Sequence, residues 1–204
     1  MKINQSVSVV ILAAGNSSRM NAPKPFLPFD DGRNFIEKII DSYITAGIRD
    51  VIIVINESME RRLSLILEMN YPTFNIKVVV NRFPERGRFY SIQLGLGKVK
   101  SRFSFIQNID NPFTTKGLLT EMKNLVTDTN YVVPVFHKKD GHPVLLGNHI
   151  VAHLLSLTGD DQNLRIELIK FSKINLIWPF EDILANINSR EDYRKYFLLS
   201  EVAL

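Results

Sequence analysis

The chain has 204 residues, 45% hydrophobic and 23% charged, a balance that suits one globular domain with a sizeable core and argues against disorder. No apolar run approaches the roughly 18 to 20 residues that cross a bilayer, and the absence of cysteine removes disulfides, thiolate metal sites, iron–sulfur clusters and cysteine nucleophiles together. The net charge of +4 points to an anionic partner: nucleic acid, a membrane surface or a phosphorylated small molecule.

In chain order, Lys2 and the apolar Val7 to Ala14 have the outline of a secretory signal, although the apolar core is at the short limit for one. Val7 to Leu12 also reads as a first strand, and Asp50 to Ile55, Ile76 to Val80, Phe103 to Ile106 and Tyr131 to Val135 repeat the β-branched type expected of strands buried on both faces. Between them, Phe35, Ile36, Ile39, Ile40 and Tyr43 recur at helix spacing, with Asn34 and Glu37 as a capping pair, and Met59, Leu63, Ile66 and Leu67 do the same. Further helices are predicted over Tyr90 to Val99, Thr115 to Val126, His149 to Leu157 and Asn163 to Phe171, and a last one opens at Ser189 with Asp192 as its capping partner. Alternating strands and helices predict right-handed βαβ units. The expected fold class is therefore α/β, one domain over residues 1–204 with a mostly parallel sheet flanked by helices.

Open α/β sheets bind ligands at the carboxyl ends of their strands. That rule singles out the loops Ala13 to Phe29, Asn81 to Phe89, Asn108 to Phe113 and His137 to Pro143. The first, in "VVILAAGNSSRMNAPKPF", leaves its strand through small residues that let a ligand reach backbone N–H groups, then supplies Arg19 and Lys24 as a fork and a point charge for phosphate oxygens. It is neither a Walker A loop nor G-x-G-x-x-G, and by itself it reads more readily as a tight turn with solvated charges than as a phosphate site. Arg82, Arg86 and Arg88 make the second loop basic, either for a ligand or as an exposed face. Asp110, at a strand end before Asn111-Pro112, is either a turn residue or a hard carboxylate placed for Mg²⁺. "GLGK" at Gly95 to Lys98 falls inside a helical pattern. His137, His149 and His153 read as structural, the last two lacking the Glu of a zinc-protease motif.

"LAAGNSSRM" followed by Lys24 resembles the L-A-[AG]-G-x-S-x-R-M…P-K signature of the molybdenum cofactor nucleotidyltransferases, the MobA-like NTP transferases. The resemblance implies a nucleotide-diphospho-sugar transferase type of Rossmann-like fold. It assigns Leu12, Ala13, Ala14 and Gly15 to holding the nucleotide, and Arg19 and Lys24 to its phosphates. Ala14 favours CTP, because cytidine users in the family tend to carry L-A-A-G and guanosine users L-A-G-G. "NRFPERGRFYSIQLGL" is similar to the family's segment beside base and ribose, which places Asn81, Gly87 and Ser91 near the nucleotide. "DNP" matches D-[MQ]-P, with Asn111 as the departure, and assigns Asp110 to Mg²⁺. "KKDGHPVLLG" is close to G-H-P-[VL]-[LF], so Gly141 and His142 would border the acceptor.

Two later segments match less closely. "LTGDDQNLRIEL" resembles G-D-x-G-x-R with altered spacing and no glycine over Asp161 to Leu164. "ANINSREDY" resembles D-[IV]-[DN]-T-P-[ED]-D, with Asn186 and Asn188 in the acidic positions and Arg190 in place of Pro; Asn188 would offer Mg²⁺ a carbonyl oxygen without charge. The resemblance as a whole implies a Mg²⁺-dependent enzyme that transfers a nucleoside monophosphate to the phosphate of a molybdopterin-type cofactor and releases pyrophosphate; the absence of cysteine fits a reducing cytoplasm as its location. The resemblance adds a molybdoenzyme or cofactor-insertion protein as a further partner, and neither nucleic acid nor membrane. Three other readings stand beside it: transfer to a sugar phosphate or alcohol phosphate, a nucleotide- or cofactor-binding relative without catalysis, and nucleic-acid binding. The last would show steep salt dependence and indifference to CTP.

Overall fold

The computed structural model describes residues 6–15, 19–20, 22–159 and 161–197. Lys2, positions 16–18 and 21 of the opening loop, and position 160 of the "LTGDDQNLRIEL" segment lie outside the described residues. From the amino end run β1 (Val7–Ala13), α1 (Phe35–Thr45), β2 (Asp50–Asn56), α2 (Glu60–Asn70), β3 (Ile76–Asn81), α3 (Gly87–Leu96) and β4 (Phe103–Asn108). They are followed by α4 (Lys116–Leu125), β5 (Asn130–Phe136), β6 (Lys139–Asp140), β7 (Val144–Leu146), α5 (Asn148–Ser156), α6 (Leu164–Leu168), β8 (Ser172–Ile177) and α7 (Arg190–Tyr196).

These strands form one sheet in the order β3-β2-β1-β4-β7-β5-β6, with β8 parallel to β5. The β3-β2-β1-β4 half is parallel throughout, and β7 runs antiparallel between β4 and β5. A mostly parallel α/β sheet flanked by helices is thus what the alternating pattern predicted.

Alternation along β1 sends successive side chains to opposite faces. Val9 and Ile11 join a core with Ile36, Ile40, Leu63 and Leu119 from α1, α2 and α4. Val10 and Leu12 join Ile92, Leu96, Leu154 and Leu168 from α3, α5 and α6 on the other face. Ile76–Asn81 departs from the expectation of a strand buried on both faces: it is a sheet edge, and its side chains up to Val80 are half-buried. The strand β8 escaped the sequence reading because, at the edge beside β5, it buries too little to need a continuous apolar run.

The two predicted caps are present where they were read. Glu37 accepts from the Asn34 backbone N–H at 3.0 Å. Ser189 Oγ accepts from Asp192 N at 3.1 Å while Asp192 accepts from Ser189 N at 3.0 Å, closing a capping box at α7.

Candidate active site

A cleft of about 460 Å³ opens at the carboxyl ends of β1, β3 and β4. Leu12, Ala14 and Gly15 wall it from the end of β1, Asn81, Gly87 and Ser91 from β3 and α3, and Asp110 from the loop after β4. Lys24 reaches in from a short 3₁₀ turn, Lys24–Phe26, with prolines at 23 and 25. Its ammonium donates to Asn188 Oδ1 and lies 3.7 Å from Asp110 Oδ2. Burial holds the Lys24 pKa below the ordinary lysine value; the Asp110 charge opposes that shift and the Arg19 charge adds to it. A chain contact over 164 residues thus joins the opening loop to the last segment.

On the opposite wall, Asn81 Nδ2 donates to Ser91 Oγ at 2.9 Å, and Asn81 Oδ1 accepts from Phe83 N at 2.8 Å. Both side chains are buried, so the bonds fix the turn that leads to α3. Gly87 opens that helix at φ +82, a left-handed conformation that costs a glycine little.

Beyond this wall lies a second cavity of about 1010 Å³, lined by Phe89, Tyr131, Val133 and Leu168 on its apolar side and by Arg86, Lys138, Lys139, Arg165 and Lys173 among its polar residues. Gly87, Arg88 and His142 line both cavities. Arg88 donates to Asn108 Oδ1 at 2.8 Å, and Asn108 Nδ2 lies 3.1 Å from His142 Nε2. Burial lowers the His142 pKa and the Arg88 charge lowers it further, against Asp110, so the imidazole is neutral at pH 7. Gly141 is buried, and a Cβ there would stand 2.7 Å from the Ile183 carbonyl oxygen. Its small size admits the segment that follows β8.

Asn111, the departure from the family pattern, proves to be a structural clamp that sequence reasoning passed over. Buried at 1% exposure, its Nδ2 donates to the carbonyls of Asp182, Ile183 and Ala185 at 3.2, 3.0 and 3.1 Å. Ile187 N donates to Asp110 O at 3.0 Å, and His142 N to Ile183 O at 2.9 Å. The segment before α7 is therefore stitched to both Asp110 and His142, and it delivers Asn186 and Asn188 to the first cleft. Asn and Asp side chains bond backbone groups readily, which is the signal that could have flagged Asn111.

Not every candidate faces the cleft. Ala13 is the last residue of β1, buried and in register with Ile55, so its part is played by backbone alone. Arg19 is exposed and lines neither cavity, although its charge reaches Lys24. His137 sits at φ +45 between β5 and β6, and His149 is exposed. His153 meets Glu167 at 2.7 Å and ties α5 to α6. Gln162, Asn163, Leu164 and Arg165 of the less closely matching segment line the larger cavity. Among the described residues no group of three or more His, Cys, Asp or Glu converges for a metal, so Asp110 is the carboxylate of the cleft.

A mostly parallel sheet flanked by helices, with small and basic loops gathered at its strand ends, defines a Rossmann-like α/β class of fold with its cleft at the carboxyl edge. The model of the MobA-like NTP transferase domain matches residues 9–171, and the chain belongs to that family. A probable molybdenum cofactor guanylyltransferase of Clostridium perfringens is 29% identical over 133 residues, which is 65% of this chain and 61% of the relative. The chain thus aligns with less than two thirds of that protein's length. A probable molybdenum cofactor guanylyltransferase of Natranaerobius thermophilus is 27% identical, covering 95% of this chain and 98% of the relative. A solved nucleotidyl transferase of Methanothermobacter thermautotrophicus superposes with a TM-score of 0.75 at 19% identity, over 93% of this chain and 95% of that one. At that identity the likeness concerns the fold.

Proposed function

We propose that the protein transfers a nucleoside monophosphate from a nucleoside triphosphate to the phosphate of a molybdopterin-type acceptor, with release of pyrophosphate. The observation that carries this reading is the pairing of cavities: a cleft holding Lys24 and Asp110 opens across Gly87, Arg88 and His142 onto a larger, part-apolar cavity with a basic wall. The smaller takes the triphosphate, and the larger takes the acceptor beside Gly141 and His142.

In this reading Leu12, Ala14 and Gly15 hold the nucleotide, with Ala13 contributing backbone, and Asn81, Gly87 and Ser91 border its base and ribose. Lys24, with Arg19 outside the cleft, neutralises the phosphates. Asp110 fits Mg²⁺ because that ion is usually held by one or two carboxylates together with substrate phosphates rather than by a full protein cage. Bound there, Mg²⁺ would neutralise charge on the triphosphate. Asn188 offers its carbonyl oxygen to Lys24 in the structure, so service as a second metal ligand requires that bond to open. Catalysis then rests on positioning and charge rather than on covalent chemistry by the protein.

Ala14 supports CTP as the nucleotide. GTP is the second reading, favoured by relatives named guanylyltransferases. A cytoplasmic setting and a molybdoenzyme or cofactor-insertion partner belong to the same reading; no described helix is long and apolar enough to cross a membrane. The test is pyrophosphate release with molybdopterin, Mg²⁺ and either CTP or GTP. Asp110→Ala should abolish metal-dependent turnover while leaving the circular dichroism spectrum and melting midpoint near wild type. Wild-type release by that variant would remove Asp110 from the reaction.

A further inference from the structure

The residues shared by the two cavities include one permanent cation, Arg88. It is exposed at the start of α3 and forms no ion pair among the described residues; one N–H donates to Asn108 Oδ1, and the rest of its fork remains available. A guanidinium only donates, so Asn108 must turn its oxygen to Arg88 and its Nδ2 to His142 Nε2. One amide therefore sets both groups at the divide, and the imidazole keeps its proton on Nδ1.

The proposed reaction brings two phosphate-bearing anions together at this divide. A phosphate monoester has its second pKa near about 6, so at neutral pH it is largely a dianion and needs no general base. An acceptor phosphate oxygen forms a bond to the α-phosphorus, the bond from that phosphorus to the α,β-bridging oxygen breaks, and pyrophosphate leaves with the electron pair. No net proton transfer is required. What the acceptor phosphate needs is a cation that offsets its repulsion from the triphosphate, in a shape that matches its oxygens. Lys24 and Asp110 line the first cleft alone, whereas Arg88 lines both cavities.

Resting on the nucleotidyl-transfer reading above, we propose that Arg88 binds the acceptor's phosphate monoester at the divide between the two cavities, with Asn108 as its positioning residue. A neutral His142 suits this arrangement, since it adds a hydrogen-bonding ring without competing for the anion.

Isothermal titration of phenyl phosphate into the full chain, loaded with Mg²⁺ and a non-hydrolysable CTP or GTP analogue, tests it. Phenyl phosphate should bind the wild type, and Arg88→Ala should weaken it at least about tenfold, while analogue affinity stays within about twofold. Arg88→Lys should recover part of the loss, since it keeps the charge without the fork. Asn108→Ala should weaken phenyl phosphate less than Arg88→Ala does, and should add nothing to it in the double variant, because it acts through the same guanidinium. Absent wild-type binding, unchanged phenyl phosphate affinity in Arg88→Ala, or a loss that falls on the nucleotide analogue would each overturn the assignment. Additive losses in the double variant would overturn the role of Asn108. Failure of the wild type to release pyrophosphate with molybdopterin would instead overturn nucleotidyl transfer, leaving the phosphate-binding result at Arg88 to stand separately.

Discussion

Lys24 carries the clearest consequence of burial at a single residue. Its ammonium sits against Asn188 and within 3.7 Å of Asp110, and burial lowers its pKa. The charge is present below that lowered value and is lost as pH rises through it. Triphosphate affinity should therefore fall off at lower pH than for an ordinary lysine, and Lys24→Arg should remove this alkaline limb in a pH series of nucleotide titrations. Lys24→Ala should weaken triphosphate binding more than nucleoside binding; equal losses would show that Lys24 does not meet the phosphates. Asn111 gives a second test. Asn111→Ala leaves three carbonyls of the 182–185 segment without their side-chain donor, which should cost about 2 to 4 kcal/mol in urea unfolding. That Lys24 and Asp110 line the cleft was legible from their position at strand ends, whereas the roles proposed for them toward phosphate and Mg²⁺ came from the family resemblance. The role of Asn111 was not legible, because its partners lie more than 70 residues away.

Among the elements, α3 shows how closely helix and sheet approach. A Cβ at Gly95 would collide with Val10 and Val54 side chains of β1 and β2, so "GLGK" is a packing feature rather than a ligand loop. Gly95→Ala improves helix propensity by about 0.5 to 1 kcal/mol, but overpacking costs about 1 to 3 kcal/mol. Net destabilisation should follow, read as a lower urea midpoint. Since α3 also carries Gly87 and Ser91, the variant should lose nucleotide affinity too. β1, β2 and β4 were legible because burial on both faces demands continuous apolar runs. The edge strand β3 was legible because it keeps a mostly apolar run although half-buried, whereas β8, which faces solvent, carries no such signal.

At the scale of the whole molecule, ligand binding should register as stability. A nucleotide at about one hundred times its Kd adds about 2.7 kcal/mol to a fold that binds it and to nothing in the unfolded chain. For a chain of this size that is a rise in melting midpoint of roughly 5 to 11 °C. If Asp110 holds Mg²⁺ with the triphosphate, chelating the metal should remove most of the shift. Running CTP, GTP, ATP and UTP in parallel would rank the bases, and no shift with any of them would count against a nucleotide site. By itself, the sequence determined the α/β class, the strands of the sheet's parallel half, the helix caps and the loops that line the cleft, because periodicity, capping and turn chemistry act over a few residues. Only the tertiary structure decided that Lys24 meets Asn188, that Asn111 clamps the final segment, and that Arg88 and His142 stand where two cavities join. Those contacts close across long stretches of chain, and only the packing of helices on both faces of the sheet brings their partners within hydrogen-bonding distance.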